Sequence, residues 1–355
     1  MDVAVIGGGI VGVAAAAFLA EAGAEVALAE REHLGAGASG RNSGAVQHPF
    51  DTVLGPLYDE TVAIYAELDA PGTNAFPLNR PPDGLLSVAP EREPLERFAE
   101  DVARRLPELE PSLLDPRDLA EAEPALAPGL HACRTRTGWA VPPAAAVEAL
   151  AERARAAGAR VVGWPEAFEV DAEVTLVTAG PWTPAAVDPK GGWRPIEPVW
   201  GAVAEVELDA PPRHVLEEAG IPELAESLGS GEAVPQLFSL VSCQGRHGLG
   251  STFTREEPRA DAAARALVER GRRFLRSIGA VRSTRTCARP VSADGRPLIG
   301  ALAEGLYVCA GHGPWGISTG PASARMVTDL ILGRDPAIPP ELDAARFGPA
   351  PSASA

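Results

Sequence analysis

The chain has 355 residues, of which 46% are hydrophobic and 22% charged, as is typical of a globular protein of about two domains. Its formal net charge of −17 at pH 7 argues against binding to a nucleic-acid backbone or an anionic membrane, both of which need a basic surface. The 4 cysteines are scattered without a C-x-x-C pair, so we expect no metal site, no disulfide framework and a cytoplasmic location. No stretch is apolar over enough residues to span a bilayer.

The first stretch of the chain predicts a dinucleotide-binding turn. Val3 to Ile6 is a short apolar run typical of a buried parallel strand, and it leads into Gly7, Gly9 and Gly12 in the spacing G-x-G-x-x-G. The first glycine permits a tight turn, the second lets the backbone approach a pyrophosphate, and the third lets the next helix pack on the strand. That helix, from Ile10 to about Ala22, presents free N–H groups to the phosphates.

A second strand and a second loop extend this pattern. Glu25 to Ala29 predicts a strand that ends at Glu30, where an acid can bind a ribose hydroxyl. The loop of residues 35–44 follows, and it combines small residues with polar donors. Such a loop could reach further along an extended cofactor than a nicotinamide dinucleotide requires, and a flexible Gly/Ser linker is the alternative.

Hydrophobic periodicity and turn residues predict the remaining elements. The predicted helices are Leu54 to Leu68, Pro94 to about Leu106, a short helix capped by Asp115, Pro143 to Gly158, Asp261 to Ile278 and Pro321 to Leu332. The predicted strands are Gly84 to Ala89, Arg160 to Trp164, Ala167 to Val170, Val174 to Ala179, part of Pro195 to Leu208, Gln236 to Cys243, His247 to Phe253 and Leu306 to Ala310. A Pro/Gly-rich passage from Pro71 to Pro82 is interpreted as the crossing into a second domain.

Gly-rich loops follow strands near both ends of the chain, the last one from Gly311 to Ile317. The simplest interpretation is an α/β nucleotide-binding domain built from discontinuous segments, with a mixed-sheet domain inserted. We predict residues 1–78, 140–194 and 286–340 for the nucleotide-binding domain, 79–139 and 195–285 for the substrate domain, and 341–355 as a tail.

Taken together, these pieces resemble the D-amino-acid oxidase family of flavoproteins, which includes glycine oxidases, sarcosine oxidases and D-amino-acid dehydrogenases. The resemblance runs to about Gly333. The segments that carry it are Gly7 to Gly12 with Glu30, Ala38 to Gly44, Thr178 to Trp182, Arg289 to Gly300 and Gly311 to Ile317. It implies a Rossmann-like FAD-binding domain of the glutathione-reductase type and an inserted α+β substrate domain.

The resemblance implies FAD as the cofactor. Residues 9–11 would hold the pyrophosphate, residues 39–43 would lie beside the isoalloxazine, and residues 311–313 would bind its pyrimidine end. The full set of implied FAD contacts is Gly7, Gly9, Ile10, Val11, Gly12, Glu30, Arg31, Ser39, Gly40, Arg41, Asn42, Ser43, Val170, Ala179, Gly180, Trp182, Arg289, Gly311, His312, Gly313 and Ile317. We favour non-covalent binding, and a flavin link to Cys287, near where monomeric sarcosine oxidases have one, is the alternative.

Three residues are candidates for the substrate face. Arg289 sits where glycine-oxidase-like members place an arginine for the substrate carboxylate, which a planar guanidinium binds bidentately, and an ion pair with Asp294 is the alternative. His48 could lie over the flavin ring or be a structural histidine. Trp315 could wall the substrate pocket or belong to the core.

The sequence departs from the sarcosine oxidases at two lysines. Those enzymes place a lysine near the flavin to promote reaction with oxygen, whereas Lys190 is the only lysine here and the matching position is Gly248. Arg246 or His247 could supply the charge instead. A second lysine, in the last Gly-rich loop, is replaced by Trp315. These changes weaken an oxidase assignment relative to a dehydrogenase.

The resemblance therefore predicts an FAD-dependent oxidoreductase that oxidises the C–N bond of an amino acid or N-methyl amino acid by hydride transfer to the flavin. The partners would be a small carboxylate-bearing amine and either O2 or another electron acceptor, with no nucleic acid. A 2-hydroxy-acid dehydrogenase of the same superfamily and a flavin subunit of a heteromeric amine dehydrogenase complex are the alternatives.

Overall fold

The computed structural model of the protein describes residues 1–68, 82–163, 172–220 and 236–348. Its strands, in chain order, are β1 (Asp2–Ile6), β2 (Glu25–Glu30), β3 (Ala45–Val46), β4 (Leu85–Ala89), β5 (Ser112–Leu114), β6 (His131–Thr135), β7 (Trp139–Ala140), β8 (Arg160–Gly163), β9 (Val174–Val177), β10 (Ile196–Val206), β11 (Val215–Glu218), β12 (Ser239–Cys243), β13 (Arg246–Gly250), β14 (Val281–Ser292), β15 (Leu298–Ala303) and β16 (Leu306–Ala310). Its helices are α1 (Ile10–Glu21), α2 (Ala38–Arg41), α3 (Gly55–Leu68), α4 (Glu93–Arg105), α5 (Pro116–Ala122), α6 (Pro143–Ala156), α7 (Thr183–Val187), α8 (Ala260–Gly271) and α9 (Gly316–Ile331).

The first sheet has the strand order β15-β16-β9-β1-β2-β8 in the described chain. All neighbours are parallel except the edge pair β15 and β16. Its central strands are apolar runs, and Val5, Leu28 and Leu176 are fully buried, as expected for a sheet covered on both faces. Helix α1 is buried over nearly its whole length because it packs against α6 and α9 as well as the sheet.

The second sheet has the order β14-β10-β13-β12-β11-β4-β6-β5, and most of its neighbours are antiparallel. The longest pairing joins β10 to β14, from Ile196 opposite Ser292 to Val206 opposite Val281. Helix α8 covers this sheet, and Phe238 stacks on Phe274 in the core beneath it at a centroid distance of 4.6 Å.

Several predicted elements are confirmed by local chemistry. Asp115 caps α5, because its Oδ1 accepts hydrogen bonds from the N–H groups of Arg117 (2.9 Å) and Asp118 (3.0 Å). Two of the predicted strands form the hairpin of β12 and β13, which turns at Gln244 and Gly245. These residues have φ angles of 49° and 74°, as a tight hairpin turn requires.

Two predicted helix boundaries were wrong. Helix α8 ends at Gly271 instead of Ile278, because the chain then pairs with a neighbouring loop: Phe274 O accepts from Ala127 N–H (2.7 Å) and Arg276 N–H donates to Ala125 O (3.0 Å). Helix α9 begins at Gly316, ahead of Pro321. Proline has no N–H to donate to the carbonyl four residues earlier, and that carbonyl, Ile317 O, instead accepts from Tyr65 Oη–H at 2.8 Å.

Strand β14 was not predicted, and the predicted strand from Ala167 to Val170 lies outside the described residues. The same is true of most of the Pro71 to Pro82 passage. The strands of the first sheet all fall within residues 1–78, 140–194 and 286–340, but β14 crosses the boundary at residue 286, and the domain division stays a prediction. None of the helices described above has both the length and the apolar character needed to cross a bilayer.

Candidate functional site

A cavity of about 750 Å³ lies between the two sheets. One part of its wall is formed by the loops that follow β1, β2, β9 and β16, which all leave the carboxyl ends of parallel strands. Ligands of open α/β sheets bind at that edge. The other part is formed by residues of β10, β11, β12 and β14 in the second sheet.

The predicted glycine loop, residues 7–12, depends on its glycines for close backbone approach. Gly7 has a φ of 113°, and a Cβ added there would lie 2.7 Å from Thr178 O. A Cβ on Gly12 would overlap Gly7 O and lie 2.7 Å from Thr178 Oγ1. A Cβ on Gly9 would point toward Ser39 Oγ at 3.1 Å. The three glycines therefore let α1 begin directly behind the cavity wall.

Two side chains hold this loop in place. Ile10 N–H, at the start of α1, donates to Ser39 Oγ at 2.9 Å. The Glu30 carboxylate accepts from Gly8 N–H (2.7 Å) and from Glu32 N–H (3.0 Å). Each carboxylate oxygen has a second lone pair, so Glu30 can still accept from a ribose hydroxyl.

The small-residue loop is tied to β14. Arg285 donates from Nε to Arg41 O (2.9 Å) and from Nη2 to Asn42 O (3.0 Å). Within the loop, Asn42 Nδ2 donates to Ser39 O (2.8 Å). These bonds make the loop an ordered wall, so the alternative of a flexible linker is wrong.

Arg289 reaches the cavity from β14 and is partly buried there. Its Nη1 donates to Thr252 O at 2.9 Å, its guanidinium lies 4.5 Å from the centroid of the Phe253 ring, and the absence of a side chain at Gly201 lets it cross β10. Burial lowers the pKa of Arg289. Over the described ranges, no carboxylate lies within ion-pair distance of Arg289, and Asp294 is paired with Arg346 (2.7 Å) instead.

Glu217 and Gln47 form a second polar group in the wall, which the sequence analysis missed. Glu217 on β11 is 8% exposed and Gln47 only 2%. Gln47 Nε2 donates to Glu217 Oε2 at 3.0 Å, whereas Gln47 Oε1 has no hydrogen-bond partner in the part of the chain that the structure describes. Burial raises the pKa of Glu217 to about 7. Nothing in the local pattern Val-Leu-Glu-Glu distinguishes this acid from a solvated one.

Two of the three histidine and tryptophan candidates, Trp315 and His312, lie in the cavity wall, and His48 does not. His48 is not among the cavity-lining residues: its Nδ1 accepts from Phe50 N–H (2.9 Å) and its ring packs edge-on against Tyr58, which supports the structural alternative. Trp315 lines the cavity. His312 also lines it, burial lowers its pKa to about 4, and its Nε2 is buried without a partner among the described atoms.

The cysteine considered for a covalent flavin link lines the cavity, whereas the two residues considered for a positive charge near the flavin do not. Cys287 lines the cavity at 7% exposure, and burial raises the pKa of its thiol, so it is a weak nucleophile. Arg246 pairs with Glu205 (2.7 Å) and His247 contacts Ser242 Oγ (3.1 Å), and neither lines the cavity. A Cβ on Gly248 would lie 3.7 Å from the Arg285 guanidinium.

The cavity brings together most of the residues implied as FAD contacts. The predicted contacts that line it are Gly7, Gly9, Ile10, Val11, Glu30, Arg31, Ser39, Arg41, Asn42, Ser43, Ala179, Gly180, Trp182, Arg289, His312, Gly313 and Ile317. Gly12, Gly40 and Gly311 are absent from the lining residues, and Val170 lies outside the described residues. Metal binding has no counterpart here, since no cluster of three His, Cys, Asp or Glu side chains forms in residues 1–68, 82–163, 172–220 and 236–348.

This wall suits an FAD molecule. The glycine loop leaves room for a pyrophosphate beside the N-terminus of α1. At the adenosine end, the guanidinium of Arg31 lies 5.1 Å from the ring centroid of Trp182, which is 45% exposed. The unpartnered Nε2 of buried His312 needs a hydrogen-bond partner from the cavity, and an isoalloxazine edge offers one.

Comparisons with known proteins agree with this geometry. A family model described as FAD-dependent oxidoreductase matches residues 2–330. A D-amino acid dehydrogenase of Methylobacterium sp. (strain 4-46) is 32% identical over 176 residues, which cover 47% of this chain and 38% of that protein. The chain spans less than half the length of the curated relatives it matches, between 38% and 48%.

Solved structures share the fold along the whole chain. Glycine oxidase from Bacillus cereus ATCC 14579 superposes with a TM-score of 0.77 at 23% identity, covering 94% of this chain and 95% of that one. Iminodiacetate oxidase from Chelativorans sp. BNC1 superposes with a TM-score of 0.79 at 20% identity, covering 98% of each chain. These matches confirm the predicted fold class, and they give no indication of a covalent flavin.

Proposed function

Because the chain belongs to the family of FAD-dependent oxidoreductases, we propose that it oxidises the C–N bond of an amino acid or an N-methyl amino acid. The relatives named D-amino acid dehydrogenase, glycine oxidase and iminodiacetate oxidase support this class of reaction. A cytoplasmic location, with O2 or another acceptor for the electrons, stays a prediction.

The observation that carries the proposal is the charge of Arg289, which is partly buried in the cavity wall without an ion-pair partner among the described residues. A guanidinium removed from water without a counter-ion is costly, and such groups persist where a ligand supplies the opposite charge. Thr252 O takes one N–H, which leaves the other donors of the planar group for a carboxylate.

The FAD would lie along the glycine loop. The glycine loop at residues 9–11 would hold the pyrophosphate, Glu30 the adenosine ribose, residues 39–43 the flavin side, and His312, Gly313 and Ile317 its pyrimidine end. The bound cofactor supplies the hydride acceptor for the reaction.

The chain's own residues then orient the substrate. Arg289 binds the carboxylate and sets which C–H bond faces the cofactor, and Trp315 and Phe253 exclude water from that position. Holding the reactants in this way accounts for catalysis without an obligatory general base at the carbon.

An anaerobic substrate screen tests the proposal. The FAD-loaded protein is mixed with glycine, sarcosine, D-amino acids and proline, and in parallel with lactate and 2-hydroxyglutarate, while flavin absorbance is followed. We expect an amine to bleach the flavin. Bleaching by a hydroxy acid alone would contradict the proposal and select the 2-hydroxy-acid dehydrogenase. Turnover only after another polypeptide is added would select the subunit of a heteromeric complex.

Admission of air after bleaching distinguishes the acceptors. Rapid return of the flavin absorbance identifies O2 as the acceptor and an oxidase. Slow return, accelerated by an artificial quinone or dye, identifies a dehydrogenase. Quantifying the oxo acid and the released ammonia or amine in the same samples confirms cleavage of the C–N bond.

A further inference from the structure

The wall of the cavity holds a second buried ionisable group for which the proposed function provides no role. We propose that Glu217 and Gln47 form an amine subsite, in which Glu217 accepts a proton from the ammonium group of the substrate. The inference rests on the proposed function, because it concerns how the same cavity receives an amine.

The geometry places two acceptor-bearing side chains, Gln47 and Glu217, next to each other in the cavity wall. Gln47 is fixed at both ends: its N–H donates to Ser318 Oγ at 3.1 Å and its Nε2 to Glu217 Oε2 at 3.0 Å. This leaves Gln47 Oε1 without a donor among the described atoms, although it is buried, and Glu217 lines the cavity beside it. A buried acceptor without a donor is costly, and an ammonium group has three N–H donors.

The charges of the cavity favour a zwitterion. No cation of the described chain forms an ion pair with Glu217, whereas its neighbour Glu218 is paired with Arg270. Consecutive residues of a strand point to opposite faces, so Arg270 lies on the face away from the cavity. The cavity therefore has an unpaired cation, Arg289, on β14 and an unpaired acid, Glu217, on β11. An amino acid at neutral pH carries both opposite charges.

The proton balance makes the acid useful for the reaction. An N–H bond of the ammonium breaks and an O–H bond forms on Glu217, so the amine becomes neutral and keeps the lone pair. Hydride loss from the adjacent carbon then produces a cation that this lone pair stabilises, which a positively charged ammonium could not do. The carboxylic acid releases its proton to water when the product leaves.

The surroundings of Glu217 leave it as the group that titrates near neutral pH. Burial raises its pKa to about 7, and its hydrogen bond from Gln47 opposes that shift. Burial lowers the pKa of His48, which follows Gln47, to about 4. The other ionisable groups on the elements around it are engaged elsewhere: His214 with Glu123, Glu218 with Arg270, His247 with Ser242, and Arg325 with Glu60.

The test compares wild type with Glu217→Gln. Anaerobic stopped-flow with the amino acid that bleaches the flavin fastest gives an apparent Kd and a limiting rate from about pH 5 to about pH 9. Calorimetry gives the Kd of the acid of the same skeleton without the amino group, acetate for glycine or propionate for alanine. We expect the Kd of the amino acid to rise about tenfold or more, and that of the plain acid to change less than about twofold. The rise of the rate through about pH 7 disappears in the variant.

Controls separate this result from a general defect. Glu197→Gln removes an exposed carboxylate from β10 and should match wild type, while Gln47→Leu should weaken the amino acid less than Glu217→Gln does. Unchanged FAD content in each variant shows that the cavity is intact. Equal weakening of both ligands, or an unchanged pH profile, overturns the amine subsite alone. If no amine bleaches the wild-type flavin, the proposed function fails and the subsite fails with it.

Discussion

The two ends of the cavity recognise their ligands by different physical means. At the glycine loop, the wall is backbone, and Gly7 and Gly12 lie so close to Thr178 that a single added carbon would collide with it. At the second sheet, the wall holds two ionisable side chains, the partly buried Arg289 and the buried Glu217, without ion-pair partners among the described residues. The cofactor end therefore depends on shape and the substrate end on charge. Changes at the cofactor end should lower stability and the amount of bound FAD, whereas changes at the substrate end should lower activity without lowering stability.

The largest expected effect is at the shape-dependent end. Gly12→Ala places a Cβ onto Gly7 O and within 2.7 Å of Thr178 Oγ1, and neither the loop nor β9 can move without breaking the sheet. We expect a destabilisation of about 3 kcal/mol or more and the loss of bound FAD. The measurements are the ratio of flavin to protein absorbance and the midpoint of urea unfolding.

Gly23→Ala is the control for replacing a glycine that has no close neighbour. Gly23 has a φ of 88° but open space around it, so the alanine costs only about 1–2 kcal/mol and leaves the FAD content unchanged. Loss of FAD in both variants would show that close approach does not explain the effect of Gly12→Ala.

The next largest effect is expected at the substrate end, where activity should fall while FAD content and stability are kept. Arg289→Leu removes the carboxylate anchor, and we expect kcat/KM for the amino acid identified by the screen to fall about 10³-fold. FAD content should be unchanged, and thermal stability equal or higher, because an apolar side chain replaces a partly buried charge that has no ion-pair partner among the described residues. Arg282→Leu, at an exposed arginine paired with Glu207, controls for the loss of net charge. A drop in FAD content would place Arg289 in cofactor binding instead.

Glu217→Gln should change how the free energy of unfolding depends on pH. A carboxyl group whose pKa is raised by folding stabilises the protein fully below its unfolded pKa of about 4.5, and this contribution is lost as the pH rises through about 7. Between about pH 5 and pH 8 the wild type should therefore lose up to about 3 kcal/mol relative to the variant. Urea unfolding of both proteins across this range measures the difference. Parallel curves would mean that Glu217 is already solvated and charged.

The smallest effect is expected at Glu30. Glu30→Gln keeps the shape of the side chain but weakens the acceptor that Gly8 N–H and Glu32 N–H use. We expect FAD binding to weaken by about 1–2 kcal/mol, measured by equilibrium dialysis against free FAD. Glu25→Gln, at an exposed residue on the same strand that is not among the cavity-lining residues, should bind FAD as wild type does.

The difference between the cofactor end and the substrate end of the cavity also explains which site residues could be predicted from the sequence. The glycine loop is contiguous, and its spacing reports its backbone geometry directly, so residues 7–12 and Glu30 could be assigned without a structure. Arg289 was reached only through resemblance. Glu217 and Gln47 were missed because they are 170 positions apart in the sequence. Their hydrogen bond depends on the pairing of β11 with β12 and on the position of a short loop, and no local sequence pattern reports either of these.

Two positions show how tertiary contacts override local patterns. His48 follows the small-residue loop in sequence, yet its ring packs against Tyr58 and is absent from the cavity lining. Pro321 marks a helix start by local rules, but the hydroxyl of Tyr65 satisfies the carbonyl that the proline leaves free, so α9 continues through it. In both cases the deciding partner lies on α3.

The strand order of the first sheet has a consequence for the newly made chain. Val3 pairs with Val174, and β9 in turn pairs with β16, so β1 emerges from the ribosome long before its partner on that side. Long-range pairing of this kind is slow to form and leaves apolar edges exposed meanwhile. The nascent protein must keep its first strand unpaired on one side until β9, residues Val174–Val177, has been made, and β16 joins β9 only after Leu306–Ala310 have followed. Its dependence on chaperones should therefore exceed that of a protein whose sheet is built from consecutive strands.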